Sequence, residues 1–378
     1  MDGFAPRLDT FGAAPAPGDV LAGLRGRAEA ELAPLVERID HEGHYPEAVL
    51  RSLGASGLFG LHLAAHTPLA QPSLGLAVEA MAVVGETCMS TAFCAWCQNA
   101  CGWYLELSQN AALRERAQPG LATGATLGGT GLSNPVKAAA GIEAFKLRAK
   151  RAPGGYQVSG VLPWVSNLGQ GHLFGTVFED ADDPAHRIMA LVECGQPGVE
   201  IRQNAHFVAL EGTATYSILF RRAFIADEML LADQAPELMR RVRPGFVLLQ
   251  TGMGLGVIAA CVALMREADR THGATNQYLP TRPDDVEYRL DALRATIARL
   301  ARTPTETAPE FLRAVLEARL AVSELTLEAT TAAVLHGGAR GYLEGSAIAR
   351  RQREGNFVAL ITPSIRHLRM ELAAMGRP

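Results

Sequence analysis

Apolar residues recur every three or four positions from about Val20 to about Leu105, as in LAGLRGRAEAELAPLVERID, which is the period of a helix with one buried face. The stretch PEAVLRSLGASGLFGLHL opens with Pro46, suited to a first helical turn, and breaks at glycines. Between about Ala122 and Ile225 the period falls to two, in EAFKLRAKR, GGYQVSG, HRIMALVEC and TATYSILFRRAFI, with Gly and Pro between the runs. From Ala235 onward long helical segments return, separated by the polar loops NQYLPTRPDD and RTPTETAPE. Helices, then strands, then helices predict distinct layers of an α+β fold and no alternating β-α-β sheet, so no Rossmann nucleotide site is expected. GMGLG, Gly252 to Gly256, lacks a preceding strand and sits inside an apolar helical run.

That run, residues 246–265, is long enough to cross a membrane. Gln250, Thr251 and its three glycines instead predict the central helix of a bundle, in which Gly254, Gly256, Ala259 and Ala260 let neighbours approach. A length of 378 residues, 48% apolar and 20% charged, fits two or three packed units. The net charge of -4, without long runs of one sign, predicts neither nucleic acid nor membrane as a partner. Residues 1–19 read as a loose leader without the features of an export signal, so the expected location is cytoplasmic. Of six cysteines, Cys88, Cys94, Cys97 and Cys101 cluster in CMSTAFCAWCQNAC. The Cys94/Cys97 spacing suits a redox or zinc site, but no second ligand pair follows, and the apolar neighbours predict packed thiols and no metal.

The stretch VLPWVSNLG, residues 161–169, sets an indole between a proline and a polar pair just after the strand-like GGYQVSG. An indole can lie against another aromatic plate while nearby donors and acceptors meet that plate's polar edge. LSNP, Leu132 to Pro135, precedes it. On these elements the chain resembles the acyl-CoA dehydrogenase superfamily over most of its length. LSNP stands where the family has a Leu-Thr-Glu-Pro-like element, and WVSN where it has Trp-Ile-Thr-Asn. FRRAFIADEMLL resembles the last β-domain strand and its exit, and HGGARGYLEGSAIARRQRE the Gly-Gly element and following helix.

The resemblance implies an N-terminal α-helical domain over 20–121, a middle β-barrel-like domain over 122–234 and a C-terminal four-helix bundle over 235–378. It implies a homo-tetramer or homo-dimer with FAD at the subunit contacts. Trp164 would pack on the flavin ring, Ser166 would bond its N5, and Leu132 and Ser133 would meet the pyrimidine edge. Gly337 and Gly338 would approach the pyrophosphate or adenine end from a neighbouring subunit. Arg270, in DRTHG, partly matches an arginine that reaches the pyrophosphate.

The family's usual base is a glutamate that removes the α-proton of an acyl thioester while flavin accepts the β-hydride. Counted from Arg353 and Glu354, that position holds Thr362, and an alternative position falls near Phe246. Neither is a carboxylate. Glu344, in YLEGS, is a weaker candidate on the Gly-Gly turn, and His272 and His367 are possible proton carriers. The leading expectation is an FAD-dependent oxidoreductase acting on an acyl thioester of CoA or a carrier protein, without the usual glutamate. A flavin-dependent monooxygenase of the same fold is the alternative, and a non-catalytic scaffold the third. The electron acceptor is open between a protein partner and oxygen.

Overall fold

The computed structural model describes residues 14–376. Six helices come first: α1 (Pro17–Arg27), α2 (Val36–His41), α3 (Glu47–Ala55), α4 (Leu74–Thr87), α5 (Met89–Leu107) and α6 (Ala111–Thr123). Helix α1 already begins at Pro17, inside the expected leader, whose first thirteen residues lie outside the described ones. The strands follow: β1 (Gly128–Thr130), β2 (Leu147–Ala152), β3 (Gly155–Val165), β4 (Leu173–Asp180), β5 (Arg187–Glu193), β6 (Val199–Arg202), β7 (Tyr216–Ala226) and β8 (Leu230–Ala232). They form one eight-stranded sheet in the order β6-β7-β3-β2-β4-β5-β8, with β1 parallel to β4.

Parts of the period-two region are not strand. SNPVKAA forms helix α7 (Ser133–Ala139), with Pro135 in its first turn and alanines behind it. EAFKLRAKR becomes strand only from Leu147, because the Asn134 side chain bonds the carbonyl of Ala144 and the amide of Lys146 and so takes up the backbone groups just before it.

The last part comprises α8 (Ala235–Asn276), α9 (Pro283–Leu300), α10 (Pro309–Gly337), α11 (Ala347–Leu360) and α12 (Ile365–Met375). Helix α8 contains the long apolar run, and 83% of its most apolar window is buried against neighbouring helices. Close approach explains two of its glycines: a Cβ on Gly252 would stand 2.6 Å from the Val78 carbonyl, and one on Gly256 2.4 Å from that of Ala82. Both contacts are with α4, so the N-terminal helices and the bundle share one core.

A buried ion pair on α11 lies against the end of α4. Arg351 and Glu354 on α11 are each 2% exposed and 2.8 Å apart. Arg351 also donates to the carbonyl of Gly85 at 2.9 Å and to that of Glu86, at the C-terminus of α4 where the helix leaves acceptors free. The neighbouring Arg353 pairs with Asp40 and not with Glu354.

Candidate active site

Strand β3 carries Leu162 and Val165 inward and Trp164 outward. Its pairing with β7 shifts between Leu162 and Val165, around Pro163, which supplies no ladder N–H. Beyond the strand, Asn167 takes a left-handed backbone (φ 63°), a conformation asparagine tolerates. Its buried side chain is fixed from both sides: Nδ2 donates to the Gly128 carbonyl at 2.8 Å and Oδ1 accepts from the Tyr45 hydroxyl at 2.7 Å. This reversal leaves the Trp164 indole 53% exposed, and it stands on the wall of a cleft of about 360 Å³.

Ser133, Ser166, Thr362 and Phe246 line the same cleft, so four sequence candidates and the alternative base position converge there. Leu132 is buried just before α7 and does not itself line the cleft. The Ser166 hydroxyl accepts a hydrogen bond from Thr215 at 2.7 Å, which leaves its own proton for a partner in the cleft. Ser133 and Thr362 are joined hydroxyl to hydroxyl at 3.0 Å. Opposite lies an aromatic wall that sequence reasoning missed. Phe93 and Trp96 of α5 stack with centroids 5.6 Å apart, Phe246 lies 5.1 Å from Trp96, and Phe357 of α11 meets Phe93 edge-on at 4.9 Å. The Cys-rich helix therefore packs its thiols inward and lends two aromatics to the site. All four thiols are buried, and desolvation raises those of Cys94 and Cys97 well above the ordinary range.

The Thr362 backbone is held from behind. Its carbonyl accepts from Gln250 Nε2 at 2.8 Å, and Gln250 Oε1 accepts from Arg319 at 3.2 Å. Arg319 is fully buried, donates to the Val358 carbonyl at 2.7 Å and bonds Ser323. Burial without an acidic partner pushes its guanidinium down to about 10. Among the described residues no Asp or Glu lines the cleft; its ionisable groups are Lys137 and Arg366.

The other candidates stand elsewhere. Gly337 ends α10, where a Cβ would meet Ile348 at 2.4 Å, and Gly338 turns with φ 56°. Arg270 is exposed on α8 and pairs with Glu267 at 2.7 Å. Glu344 lies in an exposed turn away from the cleft, so this structure gives it no place as the base. His272 is exposed, and His367 is buried 3.2 Å from Glu371.

A flavin fits this donor set. The half-exposed indole offers a plate, Ser166 has a free proton, and the buried Trp96 Nε1 has no protein partner.

Helical layers on either side of a strand layer, with a polar-edged aromatic cleft lined from all three, define the acyl-CoA dehydrogenase fold. Residues 19–125 match the acyl-CoA dehydrogenase N-terminal domain. Benzylmalonyl-CoA dehydrogenase of Aromatoleum aromaticum is 26% identical over 250 residues, 64% of this chain and 65% of that enzyme, so this match spans just under two thirds of the relative. A probable acyl-CoA dehydrogenase of Mycobacterium leprae is 22% identical over 94% of both chains. Butyryl-CoA dehydrogenase of Megasphaera elsdenii superposes with a TM-score of 0.87 at 19% identity, covering 97% of this chain and 99% of that one. Dibenzothiophene monooxygenase of Paenibacillus sp. A11-2 superposes at 0.80 and 16% identity, covering 94% and 96%. The chain thus has the acyl-CoA dehydrogenase fold, its N-terminal part matches that family's domain, and its relatives are named acyl-CoA dehydrogenases while a monooxygenase shares the fold.

Proposed function

We propose that the cleft holds FAD and that the protein oxidises an acyl thioester borne by CoA or a carrier protein. The observation that supports this best is the convergence of Trp164, Ser133, Ser166 and Thr362 on one cleft. When bound, the flavin supplies a two-electron acceptor for hydride. Trp164 would hold the ring, Ser166 would donate its free proton at the ring edge, and Leu132 and Ser133 would meet the opposite polar edge. The aromatic wall excludes water from the reacting carbons. Thr362, tied to Ser133 and Gln250, positions the substrate and does not take its α-proton, since a neutral hydroxyl is no carboxylate base.

A second cleft of about 280 Å³ shares Phe246 with the first and contains Arg187, Arg240 and Arg243. It supports a long, phosphate-bearing carrier arm. Gly337, Gly338 and Arg270 would then serve cofactor bound across a subunit contact. The exposed Leu335, Tyr342 and Leu343 around that turn support a homo-oligomer. Six free, buried thiols fit a reducing cytoplasm.

The carboxylate-free lining favours a second reading, a flavin-dependent monooxygenase, which needs no base for an α-carbon. Anaerobic mixing with a panel of acyl thioesters separates the two. Bleaching of the flavin supports dehydrogenation; no bleaching, with oxygen consumed by the chemically reduced protein and a hydroxylated product, supports oxygenation.

A further inference from the structure

Three cationic side chains surround the Ser133–Thr362 contact, and two of them have no acidic partner among the described residues. Lys137 lines the cleft one helical turn beyond Ser133 on α7, with Nζ 3.3 Å from Glu143. Arg366 lies four residues beyond Thr362, exposed at the cleft's rim in the first turn of α12, and makes no ion pair among the described residues. Behind Thr362, the fully buried Arg319 has only neutral partners, Gln250, Ser323 and the Val358 carbonyl.

Two of these placements, those of Arg319 and Arg366, are unfavourable by themselves. A buried cation without a counter-charge has lost its hydration for neutral dipoles alone, and a cation in a first helical turn opposes the helix dipole. The lining offers no carboxylate to offset them, while its aromatic wall suits a carbon skeleton. Lys137 already faces Glu143 and Arg319 lies behind the lining, so Arg366 is the cation that an anion entering the cleft would meet unpaired.

We propose that the cleft selects acyl groups bearing a second, ionised carboxylate, which Arg366 meets directly and Lys137 supports; this substrate class rests on the thioester reading above. A guanidinium grips a carboxylate through paired N–H donors, so Arg366 governs the preference more than Lys137.

The test compares glutaryl-CoA with pentanoyl-CoA, which have the same chain length but a charged and a neutral end. Both are titrated anaerobically into the holoprotein while the visible flavin spectrum is followed. Wild type should bind glutaryl-CoA at least about tenfold more tightly, the scale of one charge-assisted contact. Arg366→Gln should bring the two affinities together, and Arg366→Lys should keep part of the difference. Equal affinities in wild type, or a preference that survives Arg366→Gln, overturns the proposal. So does loss of flavin from Arg366→Gln on gel filtration, which would assign the cation to the cofactor's phosphates. If neither thioester perturbs the flavin, the thioester reading fails separately. Glutarate and glutaramide, followed by tryptophan fluorescence, then decide the anion site: saturable glutarate binding lost in Arg366→Gln sustains it, and no glutarate binding sinks it.

Discussion

Trp164→Ala tests whether the indole holds the cofactor. A tryptophan offers roughly 150–250 Å² of coverable surface, and this one is 53% exposed. About 100 Å² is therefore open to a ligand, worth about 2.5 kcal/mol if wholly covered at about 25 cal/mol per Å². A flat ring covers one face, so the expected loss is about 1.3 kcal/mol, or about tenfold in Kd for flavin. The control is Trp103→Ala. Trp103 is 4% exposed, and its Nε1 donates to the Val242 carbonyl at 3.1 Å, away from the cleft lining. Its loss should lower folding stability by about 3–5 kcal/mol and leave the flavin Kd of the folded protein unchanged. Apoprotein titrated with FAD gives Kd, and thermal denaturation of each apoprotein gives Tm. Equal Kd shifts in the two variants, or a shift below about twofold in Trp164→Ala, would falsify the ring contact.

Three further outcomes are expected. Thr362→Glu puts a carboxylate at the usual base position and should speed anaerobic flavin bleaching by simple acyl-CoAs by about 10²-fold or more; retained flavin with unchanged bleaching refutes the positional assignment. Gly245→Ala sets a Cβ 2.6 Å from the Trp103 ring, so it should cost about 1–3 kcal/mol and lower Tm; an unchanged Tm means the helix can shift without penalty. Burial pushes the His62 imidazole down to about 4, against a bond to the Asn99 carbonyl that favours its proton. The unfolded chain takes that proton from about pH 6.5, so stability present above this value falls towards pH 4, by at most about 3 kcal/mol. Tm should drop less over that range in His62→Gln than in wild type, and identical slopes would remove His62 as the cause.

The order of helices and strands was legible because period is a local property, and LSNP and WVSN located one side of the cleft. The aromatic wall was not. Phe93 and Trp96 lie in a run apolar on every face, so nothing local separates a residue packed on thiols from one facing a cleft, and only the crossing of α5 with α8 and α11 decides it. Helix α7 was hidden within a strand-like region because seven residues are too few to display a period. The serine and proline of SNPVKAA were the available signal. Arg319 carried no sequence sign at all: its role depends on Gln250 and Val358, from two other helices.

The clasp between Arg351 and the end of α4 also fixes the order in which the molecule can be finished during synthesis. The Glu86 carbonyl waits for a guanidinium 265 residues later, an interval of about 13–53 s at ~5–20 residues per second. Helix α8 packs on α4 before then, but Phe357, Thr362 and Arg366 have yet to supply the far wall of the cleft. A nascent chain that has made its N-terminal helices, its sheet and α8 therefore still lacks one wall of the cleft until α11 and α12 arrive.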